Sequence, residues 1–289
     1  MPPETHFFSD FAWDLVRRHE FPLGGPELRD EIARFAALEN AKGLDLDPDA
    51  VVEDLGASAG SVYELFDRIV RRLAGPAEIW GEKTPGHLWW WKPISVAAPW
   101  MRFVVVVRDP RAVVASLLAM PWSETGVDQD LWAGRIHAGL ACQWTFDQEV
   151  ASALLAGLPE ERALLLRYED VVADPGLART KIARLLGRSG RESLQEAPAS
   201  MVHPWEHWKQ RAMQDVAGDR VGTWRAELGE AKAADVAWIC GRQMARFGYP
   251  RRLVSDLAAG LRNRRVRAEL DEMLDRLRHY GERIAEIEL

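Results

Sequence analysis

An α/β fold built on a parallel sheet is what this sequence predicts, on three observations. Short apolar runs of strand character, "AEIWGEK" (77–83), "RFVVVV" (102–107) and "RALLLRYED" (162–170), alternate with helical patterns. Strands separated by helix-length segments imply parallel pairing under covering helices. "RFVVVV" is apolar at successive positions, the pattern of a strand covered on both faces. The first two runs also stop at helix-start signals, Thr84-Pro85 and Asp109-Pro110, where a capping side chain precedes a proline suited to the first helical turn.

The elements follow in chain order. "FSDFAWDLVRRH" (8–19) predicts a short helix with Ser9 as N-cap, and "PELRDEIARFAALENAKG" (26–43) an amphipathic helix with Pro26 in its first turn and Gly43 past its end. "SVYELFDRIVRRLAG" (61–75) predicts a third helix closed by glycine. After the strand at 102–107, "PRAVVASLLAM" opens a helix at Pro110, and a long helix falls within residues 131–157. The strand at 162–170 leads to a helix over 174–187, bounded by Asp174, Pro175 and Gly187, and a late helix covers 234–249. Residues 188–222 carry no periodic pattern. In the tail, Val266, Leu270, Met273, Leu277, Tyr280, Ile284 and Ile287 recur at spacings of four and three. Such a heptad seam either pairs with a second copy as a homodimer or docks on its own domain. The sequence therefore divides into a domain at 1–252 and a helical extension at 253–289.

Composition narrows the partners. The 289 residues are 47% hydrophobic, enough for a sizeable core, and the thirteen tryptophans read as core and pocket lining. A net charge of -7 provides no broad basic field for nucleic acid or an anionic membrane, so any anion site is local. No apolar run is long enough to span a bilayer, and "MPPETHFFSDF" lacks the pattern of a signal peptide. Cys142 and Cys240 have neither disulfide-framework nor metal-site spacing, which fits a reducing, cytoplasmic setting and no metal.

Ligands of parallel sheets sit beyond the carboxyl ends of the strands. Lys83 and Arg108 are expected at two such ends, each before a helix N-terminus whose free N–H groups favour an anion. Ser116 follows Arg108 by eight residues, two turns into the helix. A guanidinium and a hydroxyl so arranged suit a phosphate; a surface ion pair and a packed serine are the alternatives. For Lys83 the alternative is an ion pair with Glu82.

"VVVVRDPRAVVAS" (104–116) resembles the 3′-phosphate-binding segment of sulfotransferases that use 3′-phosphoadenosine 5′-phosphosulfate. "GEKTPGH", "LRYEDVVADP", and "RVGTW" followed by "MARFGY" resemble further segments of that family, in consistent order. The resemblance implies a three-layer α/β/α fold of the P-loop type. It implies Arg108 and Ser116 at the donor 3′-phosphate, Tyr168 near the adenine, and Arg220 with Gly222 closing over the donor. Glu4, in "PETHFF", matches the family's catalytic glutamate. Lys83 is a candidate to neutralise the phosphosulfate, and His6 is the second candidate base, with His87 also a candidate to face the cleft. Glu169 and Asp170 read as fixing the loop after their strand.

The acceptor would be a hydroxyl or amine of a small molecule or carbohydrate, and no metal is needed. The family begins with a strand, a glycine-rich phosphosulfate loop and a helix. No counterpart precedes Glu4, so an N-terminally incomplete fold with poor transfer is expected. "LGASAGSV" lacks a basic residue and "GRSGRES" follows a helix, so neither substitutes. The competing reading is a catalytically impaired relative that binds nucleotides or partners. A nucleotide kinase is disfavoured because no Walker-type lysine loop is present.

Overall fold

The computed structural model describes residues 4–120, 135–188, 221–250 and 264–289. These divide into two compact units, with the division in the chain between Met101 and Arg102; the last six residues group with the first unit.

The first unit is helical. A π-helical turn at Phe7–Ala12 runs into α1 (Trp13–Arg18). Next come β1 (Leu23–Gly24), α2 (Gly25–Ala36), α3 (Pro48–Asp54), β2 (Ser58–Ala59), α4 (Val62–Ala74) and α5 (Trp91–Ala97). β1 and β2 form a two-residue antiparallel pair. Gly75 ends α4, as the sequence predicts, and Ser61 caps its start by accepting the Glu64 N–H. Ser9 is not an N-cap: it lies inside the π-helical turn, where its hydroxyl donates to the His6 carbonyl at 3.2 Å. α2 stops at Ala36, well before Gly43.

Aromatic rings fill this core. Phe8 packs on Phe66 and Trp90 with centroids 4.6 and 5.4 Å apart, and Phe7 on Phe35 at 5.3 Å. Pairs of this geometry contribute about 0.5–1.5 kcal/mol beyond their buried area. The rings come from four separate segments, so they weld the N-terminal turn to α2, α4 and the 85–90 turn.

Glu31 is a buried charge of this unit. Its carboxylate accepts from Arg18 Nη2 at 2.9 Å and Arg34 Nη1 at 3.3 Å, and lies 2.8 Å from His19 Nε2. Burial alone would raise its pKa, but the hydrogen bonds from Arg18 and His19 outweigh burial and hold it below the usual carboxylate range. A depressed folded value means stability that is present above the unfolded-chain value, near 4.5, and lost as pH falls through the folded value. Thermal melts should therefore lose midpoint as pH drops below about 4.5. Glu31→Gln should melt lower at neutral pH and show a shallower acid loss; an unchanged neutral midpoint refutes this.

The second unit carries the parallel pair. β3 (Phe103–Val107) is followed by α6 (Pro110–Leu118) and α7 (Ile136–Gly157). β4 (Ala163–Arg167) leads into α8 (Tyr168–Ala173) and α9 (Pro175–Leu185). α10 (Trp224–Leu228), α11 (Glu230–Ile239), α12 (Gly241–Arg246) and α13 (Arg264–Ala285) complete it. β3 and β4 pair in register from Phe103↔Ala163 to Val107↔Arg167. Among the described residues the parallel sheet has these two strands. β3 is buried on one face only: Val105 and Val107 lie in the core, whereas Val104 and Val106 are exposed. The late helix is broken at Cys240 into α11 and α12.

The strand expected at 77–83 does not form. Glu78, Ile79 and Lys83 are exposed, so the run has no buried face to pair. Lys83 consequently stands on an irregular segment rather than at a strand end.

α13 lies along α7. Leu270 packs into a cluster with Ala138 and Cys142, Arg278 pairs with Glu149 at 2.9 Å, and a Cβ on Gly281 would come within 2.8 Å of the Phe146 ring. One seam position, Leu270, is thus buried against α7. Among the described residues no helix is long and apolar enough to cross a membrane.

Candidate functional site

In the first unit, the N-terminal segment and residues 82–87 bring the candidate acid–base groups together. Lys83 Nζ donates to Glu4 Oε1, and His6 Nε2 lies 3.3 Å from Glu4 Oε2. The Glu4 side chain is 11% exposed and that of Lys83 59%, so the carboxylate is sheltered while the ammonium reaches solvent. Lys83 thus pairs with Glu4, not with Glu82. Glu82 instead accepts from the Thr5 N–H and the Thr5 hydroxyl, both at 2.9 Å, and from the Thr84 hydroxyl. Its other oxygen lies 2.8 Å from His87 Nδ1. Burial would raise the Glu82 carboxyl, but these hydrogen bonds hold it below the usual range. Thr84 makes no side-chain cap on the turn at 85–90; its hydroxyl serves Glu82 and accepts the His6 N–H at 3.2 Å. His87 is committed to Glu82, and its other nitrogen meets the Phe8 N–H at 3.2 Å, so it is not a spare base.

In the second unit, the carboxyl ends of β3 and β4 open on a pocket of about 160 Å³. Arg108, Tyr168 and Gly222 line it, together with Arg167, Trp224 and Arg225. Asp109 caps α6 as predicted, accepting the Arg111 N–H at 2.9 Å, and holds the buried Arg111 guanidinium in a two-pronged ion pair. Each arginine of the pocket lies over a ring: Arg108 over Tyr168 at 4.4 Å, Arg167 over Tyr249 at 4.6 Å, and both Arg111 and Arg225 over Trp224 at 4.2 and 4.5 Å. Stacking fixes a guanidinium without using its N–H donors, which stay available to an anion. Among the described residues Arg108, Arg167 and Arg225 are in no carboxylate ion pair. Such an arrangement can hold an oxyanion.

Glu169 ties the pocket walls. It accepts the Asp109 N–H at 3.0 Å and the Tyr249 hydroxyl at 2.8 Å, and that hydroxyl also lies 3.2 Å from the Val107 carbonyl. Burial and the Glu169 carboxylate push the Tyr249 phenol upward. Gly222 has φ +91°, a conformation that calls for glycine; a Cβ there would sit 2.6 Å from Arg225 Nη1, the end of a side chain that can move aside.

Ser116 is not among the lining residues. It stands on α6 one turn beyond Ala112, which does line the pocket, on the same helix face and about 6 Å farther along the axis. Arg220 lies outside the described residues. Sequence reasoning missed Arg167, Arg225 and Tyr249; the last two sit in or beside quoted segments, "RVGTW" and "MARFGY", and an arginine ending the second strand was a signal of the kind used for Arg108. Among the described residues no group of His, Cys, Asp and Glu could hold a metal ion.

A search of curated proteins returns no match. Among solved structures, the chain is similar to the sulfotransferase domain from the curacin biosynthetic pathway, at 16% identity and a TM-score of 0.49, covering 86% of this chain and 88% of that one. The profile of the Sulfotransferase family matches residues 2–192, a span that holds Glu4, Lys83, Arg108, Ser116 and Tyr168. By that match the chain belongs to the Sulfotransferase family.

Proposed function

We propose that this protein moves a sulfuryl group from 3′-phosphoadenosine 5′-phosphosulfate to a hydroxyl of a small molecule or carbohydrate, within the three-layer architecture of its family. The observation that carries the reading is the pocket at the ends of β3 and β4, where Arg108, Tyr168 and Gly222 converge with Arg167 and Arg225. Arg108 takes the donor's 3′-phosphate through its free N–H groups, with Ser116 farther along α6 as a second donor, and Tyr168 offers its ring near the adenine. Arg167 and Arg225 add positive charge.

The chemistry needs a proton acceptor and a means of neutralising the leaving phosphate. Glu4 accepts the proton of the acceptor hydroxyl. As the new S–O bond forms, the bond from sulfur to the bridging phosphate oxygen breaks, and the electron pair leaves with 3′-phosphoadenosine 5′-phosphate. An ammonium beside a carboxylate lowers its proton affinity. When Lys83 turns to the phosphosulfate, Glu4 becomes the stronger base at the moment it is needed.

The test is transfer of labelled sulfate from that donor by the full-length protein to a panel of small-molecule and carbohydrate hydroxyls. The expected result is transfer that 3′-phosphoadenosine 5′-phosphate inhibits, with adenosine 5′-phosphosulfate, which lacks the 3′-phosphate, a much poorer donor. Equal use of the two donors, or no calorimetric binding of 3′-phosphoadenosine 5′-phosphate, overturns the donor assignment.

A further inference from the structure

Glu4 and Lys83 each sit beside a residue of one hydrogen-bonded hub: Thr5 follows Glu4, and Glu82 precedes Lys83. Four donors reach the Glu82 carboxylate, namely the Thr5 N–H, the Thr5 hydroxyl, the Thr84 hydroxyl and His87 Nδ1. Three converge on Oε1 and His87 alone meets Oε2, so both oxygens of the carboxylate are engaged.

None of these donors is free to reverse. The Thr5 oxygen accepts the Phe7 N–H at 3.4 Å and the Thr84 oxygen accepts the His6 N–H at 3.2 Å, so each hydroxyl proton is directed at Glu82. His87 Nε2 faces the Phe8 N–H at 3.2 Å. A backbone N–H only donates, so Nε2 must accept and carries no proton. The ring's one proton is therefore on Nδ1 and points to Glu82. His87 packs edge-on to Phe8 and Phe66 at 5.1 and 5.8 Å, which fixes the plane of the ring.

We infer that Glu82 is a positioning residue for the Glu4–Lys83 pair, working as an acceptor-only clamp that fixes His87 as the neutral Nδ1–H tautomer. The inference rests on the roles proposed above for Glu4 and Lys83. Glutamine has the right shape at position 82 but the wrong valence. With its amide nitrogen toward His87, two donors face each other. Turned over, the nitrogen meets the Thr5 N–H, again a donor. No orientation satisfies both sides, and reversing the His87 tautomer only moves the conflict to the Phe8 N–H. The segment 4–8 then loses its anchor to 82–87, and with it the register that sets Glu4 against Lys83.

The experiment uses the full chain without donor or acceptor, so its failure and that of the sulfuryl-transfer reading are distinguishable. Nitrogen NMR of histidine-labelled protein at neutral pH should show His87 protonated at Nδ1 and bare at Nε2. A doubly protonated ring, or a proton on Nε2, overturns the clamp. Zero-length carbodiimide coupling with mass spectrometry should yield a Glu4–Lys83 amide in the wild type. Glu82→Gln should lose that cross-link while keeping the one between Glu39 and Lys42, a surface pair 2.6 Å apart in the same unit. If Glu82→Gln does not fold, His87→Met serves, since it keeps an apolar side chain of similar size against Phe8 and Phe66 and has no N–H to give Glu82. A wild-type yield of the Glu4–Lys83 amide in whichever variant folds overturns the positioning role.

Discussion

Glu4→Gln is expected to lower turnover by about 10²–10⁴ while leaving donor affinity within error of the wild type. The substitution is isosteric and keeps an oxygen for Lys83, so the sheltered contact survives; what it removes is the ability to take a proton. Donor affinity should hold because Glu4 is not among the residues that line the arginine pocket. Initial rates at saturating donor, with calorimetry for 3′-phosphoadenosine 5′-phosphate, separate the two effects. Unchanged turnover would assign proton removal to His6, whose Nε2 lies 3.3 Å from the Glu4 carboxylate. A matching loss of donor affinity would mean that the carboxylate shapes the binding site.

The second large effect belongs to Arg108. Arg108→Ala should weaken binding of 3′-phosphoadenosine 5′-phosphate by about ten- to a hundredfold relative to its effect on adenosine 5′-phosphate. The basis is the worth of a hydrogen bond to a charged group, roughly 1.5–3 kcal/mol. In the structure the guanidinium already lies on Tyr168 at 4.4 Å, so little side-chain freedom is lost when an anion arrives. Equal weakening of both nucleotides in calorimetry would assign Arg108 to the shared 5′-phosphate or to structure alone.

What the sequence made legible was what is written in short spans. Arg108, Asp109 and Pro110 announce a strand end, a cap and a helix start within three residues, and the structure has all three. Gly75 marks the end of α4 in the same way. The errors arose where composition stood in for burial. "AEIWGEK" has the residues of a strand, but Glu78, Ile79 and Lys83 are exposed, so the run has no apolar face to bury against a sheet. "RFVVVV" looked covered on both faces because valine is apolar everywhere, whereas only alternate valines are buried. The hub around Glu82 was illegible for a different reason: it joins residues 77 to 79 positions apart, and no periodicity links them. Tyr249 and Arg167 meet for the same non-local reason, brought together where β4 ends beside the segment after α12.

The docking of α13 on α7 has a chemical corollary. Cys142 is fully buried beneath Leu270, and its surroundings push the thiol up to about 12, so the folded side chain is almost entirely un-ionised at neutral pH. A thiol in that state is a poor nucleophile. Labelling of that sulfur must then wait for the packing of α7 with α11 and α13 to open, so the cysteine times an opening shared by elements far apart along the chain.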